Sequence, residues 1–201
     1  MATDSPNGPS YDALMETGRR LFWKHGISRV SVTELCREAG VSKMTFYRYF
    51  SGKNALAIAV LTQVFEAAKA EYRDIMTRDI PFADKIRDTV LMKLERSRDI
   101  SDELVTDIYK SQDEELMAFF AKHRAMVIEE SMGYYREAQA KGELNPHFNL
   151  QFMHFTLEHI NDWVTRPEIV QMYPDVRDRV MAITHFFFYG LAGERNPIEA
   201  K

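Results

Sequence analysis

The sequence predicts an all-α protein in two parts, a small N-terminal three-helix module and a larger helical body. Three observations predict it. Apolar residues recur at helical spacing through nearly the whole chain. No segment alternates apolar and polar residues long enough to make a strand. Seven prolines and nine glycines punctuate 201 residues rather than fill any stretch of them.

Residues 1–9, rich in Pro, Gly, Asn and Asp, read as a disordered tail. A first helix is expected from about Tyr11 to His25, where Leu14, Gly18, Leu21 and Phe22 share a face and Gly26 stops it. Ser31-Val32-Thr33-Glu34 is a capping box, opening a short helix that ends near Ala39. Gly40 permits a left-handed turn. Ser42 caps a further helix from Lys43 to about Phe50, and Ser51-Gly52 breaks the chain before a long helix over about Lys53 to Arg78. In the body, helices are expected over about 82–98, 102–109, 112–141, 146–164 and 175–193. Asn145-Pro146 reads as a cap followed by proline at the first helical position, and Pro167 and Pro174 bound a loop. The expected division is a tail over 1–9, a first domain over 10–55 and a second over 56–201.

Composition narrows the function classes. Apolar residues at 45% and charged residues at 28% belong to a folded globular chain. A lone cysteine, Cys36, excludes an intramolecular disulfide and a Cys-rich zinc module, and suits a reducing, cytoplasmic setting. The first residues lack the basic start and apolar run of a signal peptide, and no stretch approaches the roughly 20 apolar residues of a spanning helix, so no membrane partner is expected. The net charge is −4, yet residues 1–60 hold eight Lys/Arg against five Asp/Glu, leaving the body at −7. A basic head on an acidic body points one end of the molecule at a polyanion.

Two short helices joined by a tight glycine turn, Val32 to Phe50, form a helix-turn-helix unit. Ala39 is small at the crossing, and Leu35, Val41 and Phe46 are spaced to plug the core. That leaves Ser42, Lys43, Thr45, Tyr47, Arg48 and Tyr49 for the outer face. Hydroxyls, cations and helix N-terminal amides are the usual phosphate donors, and early residues of such a second helix reach base edges. Thr45 suits a thymine methyl and Lys43 a guanine. Lys53, opening the next helix, is placed to hold a phosphate. Double-stranded DNA is therefore the expected partner.

The segment SVTELCREAGVSKMTFYRYFSGKNAL, Ser31 to Leu56, resembles the DNA-binding region of TetR-type (TetR/AcrR) transcriptional regulators, matching at Thr33, Ala39, Gly40, Val41, Ser42, Thr45, Tyr47, Tyr49, Phe50 and Lys53. LFWKHGISRVSV, Leu21 to Val32, resembles the entry segment of that family. The likeness covers about the first 55 residues; Met44 and Cys36 depart from the pattern. The resemblance implies a homodimeric repressor, with Thr33 added to the DNA-facing set. It also implies that the body is a ligand-binding and dimerisation domain, whose small-molecule effector changes the spacing of two reading heads. No separate cofactor is expected.

Within the body, Tyr109, Phe120, His123, Met126, Phe155 and His159 fall mid-helix, where a pocket for a largely apolar effector would form. Phe152, Ile160, Val180, Ile183, Phe187 and Leu191 are the expected dimer contacts, because Phe186-Phe187-Phe188-Tyr189 is apolar all round, more than one core-facing stripe requires. His154 and Glu158 share a helical face but His159 points elsewhere, so no three metal ligands converge. No nucleophile–base pair or phosphate-cradling glycine loop is visible, so no enzyme is expected. The rival reading is a helical small-molecule-binding or enzymatic bundle whose N-terminal corner only looks like a DNA reader.

Overall fold

A computed structural model describes residues 8–189, leaving the side chain of Asn161 aside. Of the expected tail, residues 1–7 lie outside the described residues, as does Leu191. Helix α1 runs Pro9–His25, α2 Val32–Ala39, α3 Lys43–Tyr49, α4 Lys53–Thr77, α5 Phe82–Arg96, α6 Asp102–Lys110, α7 Glu114–Ala140 and α8 Leu150–His159. A 3-10 turn over Ile160–Thr165 follows, then α9 Pro167–Met172 and α10 Val176–Tyr189. Among the described residues there is no strand. No described helix is long and apolar enough to cross a membrane.

Local chemistry sets most boundaries. Helix α1 starts two residues earlier than expected, because Pro9 occupies a first-turn position whose amide needs no partner. It ends where the Gly26 amide closes on the Phe22 carbonyl at 2.9 Å. The Ser31, Ser42 and Ser101 hydroxyls accept from Glu34, Thr45 and Leu104 amides, opening α2, α3 and α6.

Three expectations in the body need correction. Helix α8 starts at Leu150, not at 146. Asn149 caps it by accepting from the Gln151 and Phe152 amides, whereas Asn145 only makes a local turn with the His147 amide. The expected helix over 146–164 is an α-helix that tightens to 3-10 form after His159. The expected loop before Pro174 contains α9, with Pro167 in its first turn.

The chain forms two compact units. One takes in the residues up to Lys69 with Asp99–Lys122; the other takes in Ala70–Arg98 and the residues from His123 onward. Helices α4 and α7 contribute to both. In the first unit Leu14, Phe22, Leu35, Phe46, Leu56, Leu61 and Leu104 are fully buried or nearly so, and Phe65 stacks on Phe119. In the second, α10 packs on α5, and Val90, Ile160, Val164, Val176, Ile183 and Phe187 are buried. Phe82 meets Tyr135 edge to face at 5.5 Å. The Arg179 side chain is buried there and donates to the Tyr173 and Pro174 carbonyls.

Candidate nucleic-acid interface

The turn between α2 and α3 is built by its glycine. Gly40 adopts φ 66°, ψ 28°, a left-handed conformation that costs a side-chain-bearing residue about 1–2 kcal/mol. The Gly40 and Val41 amides then close on the Arg37 and Cys36 carbonyls at 3.3 and 3.0 Å, satisfying the end of α2. Ser42 reverses the chain into α3, its hydroxyl accepting the Thr45 amide at 3.0 Å and lying 2.9 Å from the Thr45 hydroxyl.

Helix α3 is seated by aromatic packing. Phe46 is wholly buried, Phe50 nearly so, and Tyr11 of α1 stacks on Phe50 at 5.4 Å while meeting Tyr49 edge on at 5.7 Å. Leu35 and Cys36 line the floor. Burial pushes the Cys36 thiol's pKa up, against the opposing charge of Lys43, so it stays a protonated apolar plug. Val41, expected as a full plug, is only half-buried against the same core.

With Phe46 and Phe50 inward, Lys43, Met44, Tyr47 and Arg48 form an exposed ridge, as spacings of three and four along a helix require. Arg48 lies over the Tyr49 ring at 4.9 Å and donates to its phenol oxygen at 3.1 Å. Among the described residues no acidic side chain pairs with Lys43 or Arg48. By contrast Glu38 is bracketed by Arg20 and Arg37 at 3.2 and 3.3 Å, and those hydrogen bonds hold its carboxyl below the usual range. Cations whose charge no carboxylate cancels are the ones a polyanion would meet.

The expected DNA-facing residues do not all stand together. Ser42, Lys43, Tyr47 and Arg48 are exposed on or beside α3; Thr45 and Tyr49 are half-buried there; Thr33 is exposed in the first turn of α2. Lys53 is half-buried at the start of α4, and its ammonium donates to the Ser28 carbonyl at 2.9 Å. Burial lowers the Lys53 pKa, opposed by the charges of Asp107 and Asp113. An ammonium has three donors, so this bond leaves two for a phosphate.

Asp107 of α6 was not singled out by sequence reasoning. It accepts from the Ile27 amide at 2.5 Å, from the Ser28 amide at 3.0 Å and from the Ser28 hydroxyl, while the Ser101 amide donates to the Trp23 carbonyl at 3.2 Å. An acid on the apolar face of α6 with Leu104 and Ile108 was the available signal, since a buried carboxylate demands donors.

The other expected sites scatter. Tyr109 and Phe120 belong to the first unit, Phe120 to its hydrophobic core. His123, Met126, Phe155 and His159 belong to the second, where Met126, Phe155 and His159 are exposed and His159 stacks on Phe155 at 4.3 Å. A cleft of about 20 Å³ in the second unit, room for about one water, is lined instead by Met76, Phe82, Lys85, Tyr134 and Lys141 among others. Of the expected dimer contacts, Phe152 is exposed, Val180 half-buried, and Ile160, Ile183 and Phe187 buried in the unit's own core. His154 faces Glu158 at 3.7 Å.

Residues 14–60 match the model of the bacterial regulatory proteins of the tetR family. The transcriptional regulator UidR of Escherichia coli is 25% identical over 142 residues, covering 70% of this chain and 72% of its own length. Among solved structures, the fatty acid degradation regulator FadR from Bacillus halodurans superposes with a TM-score of 0.68 at 18% identity, covering 92% of this chain and 97% of that one. FadR from Bacillus subtilis, solved in complex with stearoyl-CoA, does so with a TM-score of 0.67 at 14% identity, covering 90% and 98%. The family match falls on the segment that builds the α2–α3 corner. Residues 14–60, which include α2 and α3, are thus similar to the DNA-binding region of the tetR-family regulatory proteins.

Proposed function

We propose that the protein is a homodimeric repressor that reads a palindromic operator with α3 and is released by a small, largely apolar effector. The observation that carries the DNA half is the exposed Lys43–Met44–Tyr47–Arg48 ridge above a fully plugged core. The fold needs none of these side chains inside, and two of them are cations with no carboxylate to neutralise them. Thr33 and Ser42 extend the same set toward phosphate. Residues 10–55 act as the reading domain and residues 56–201 as the effector and dimerisation domain.

Two-fold symmetry follows from the dimer and dictates two half-sites about one helical turn, or a multiple, apart. The exposed aromatic residues Phe152, Phe155, Trp163 and Phe186 supply the apolar surface a second copy would cover. The effector reading draws on the stearoyl-CoA complex of a protein with this fold. The effector must favour the state that does not bind DNA, because equal affinity for both states shifts nothing.

Selection of bound fragments from a random double-stranded DNA pool, at near-physiological salt, tests the reading. An enriched inverted repeat is the expected result. On that site Lys43→Ala weakens binding at every sequence and lowers the salt slope by about one. A pool with no enriched repeat, before and after refolding the protein to strip any co-purified ligand, overturns the proposal.

A further inference from the structure

We propose that Met44 reads the 5-methyl group of a thymine in the operator, with Tyr47 forming the flanking wall of the contact. The inference rests on α3 being the DNA-reading helix and deepens that reading by naming a residue and the base feature it recognises.

Met44 is the second residue of α3 and 83% exposed; Tyr47, one turn on, is 56% exposed. Phe46 and Phe50 fill the space beneath α3, so Met44 occupies no core position and Tyr47 touches the core only where its ring meets that of Phe46 edge on at 5.4 Å. Lys43 and Arg48 flank them, so an apolar island sits inside a cationic ridge. Folding does not account for a large thioether held in water there.

The chemistry of the groove limits what Met44 can meet. Its sulfur is a weak acceptor and it has no donor, so it cannot match the guanine O6/N7 pair. The apolar feature of an unmodified base edge in the major groove is the thymine methyl group. Early residues of the second helix of such a motif are those that reach base edges. Methionine is unbranched and polarisable, and settles against a small apolar target without a preformed pocket. Cytosine offers hydrogen at the same carbon and an amino group beside it, so the contact favours thymine over cytosine. In a symmetric dimer it recurs once in each half-site.

The test takes the inverted repeat enriched by the full-length protein and replaces its thymines one at a time by deoxyuridine. That change deletes the methyl group and keeps base pairing and every groove hydrogen bond. At one position per half-site the wild-type protein is expected to lose about fourfold in affinity, the worth of roughly one buried methyl-sized group. Met44→Ala is expected to bind the thymine site less tightly and to lose the thymine–uracil distinction at that position alone. Met44→Leu is expected to keep it. The exposure of Met44 means that none of these variants disturbs the core.

Equal binding of thymine and deoxyuridine at every position overturns the proposal, as does full discrimination by Met44→Ala. A tighter complex with 5-methylcytosine than with thymine at that position overturns the assignment to thymine. Failure to enrich any repeat is a different result: it removes the DNA-reading role itself, and this inference with it.

Discussion

Asp107 holds Ser28 across 79 residues of sequence, accepting both its backbone amide and its hydroxyl, while Lys53 donates to the Ser28 carbonyl. Every polar group of Ser28 is thus engaged by α6 or α4. The turn that carries the chain from α1 to the helix-turn-helix corner is fixed by side chains outside that corner.

Removing this acceptor should loosen the first unit. Asp107→Ala strands the buried Ile27 amide and the Ser28 amide together, and unsatisfied buried donors cost about 1–3 kcal/mol each. A loss of about 2–4 kcal/mol is expected, read as a lowered urea midpoint of the full chain. Asp107→Asn keeps one carbonyl oxygen but turns an amino group toward a donor, so its loss should be intermediate. An unchanged midpoint for Asp107→Ala would show that water replaces the carboxylate freely.

The two turn glycines should respond very differently to alanine. Gly26 adopts φ 75°, ψ 165°, a region open essentially to glycine alone, and a Cβ there would lie 2.7 Å from Asp107 Oδ2 and 2.9 Å from Glu103 Cβ. Gly40 is plain left-handed helical, with nothing within 4 Å of the added atom. Gly26→Ala is expected to cost about 3 kcal/mol or more and Gly40→Ala about 1 kcal/mol. Comparable losses in parallel denaturation curves would refute the crowding argument at Gly26.

These residues also mark how far the sequence could be read. Pro9 and Gly26 bound α1, Ser31 and Gly40 bound α2 and Ser42 opens α3, so these boundaries follow from local chemistry. Asp107 acts across 79 residues, and helical periodicity carries no information about such a partner. In the body, Asn145-Pro146 carries the signature of a helix start, but Asn149 supplies the cap in practice. Phe186 and Phe187 look alike in sequence; one is exposed and the other buried, because only packing fixes which side of α10 meets α5. The exposed ridge of α3 was legible for the opposite reason. Its inward members, Phe46 and Phe50, are apolar, and its outward members, except Met44, are polar or amphipathic.

Alkaline pH should weaken the second unit. Burial pushes the Tyr72 pKa up to about 12, with Ser131 partly opposing, and drives that of Tyr135 well above its ordinary value. The unfolded chain releases a tyrosine proton near pH 10. Between about pH 10 and 12 it therefore holds fewer protons than the folded chain, and stability falls as pH rises. Below pH 10 both states are protonated and the stability is complete. Tyr72→Phe is expected to remove about one proton from that slope, measured as urea midpoints across pH 9–12. A slope identical to wild type would mean that Tyr72 ionises freely in the folded state.

Exposure separates two neighbouring aromatic residues on α10 as tests of self-association. Phe186 is 58% exposed and its ring lies 6.1 Å from that of Trp163, itself partly exposed, so the two form one apolar surface. Phe187 is 4% exposed, inside the core of its own unit. Phe186→Lys should leave the helical signal and the unfolding midpoint of the isolated subunit intact while converting a dimer to a monomer in light scattering. If the proposed palindromic operator is read by both copies, affinity for it should fall with dimerisation. Phe187→Lys places a charge inside the apolar core of the second unit and should unfold that unit. A Phe186→Lys protein that remains dimeric at micromolar concentration would move the interface away from this face of α10.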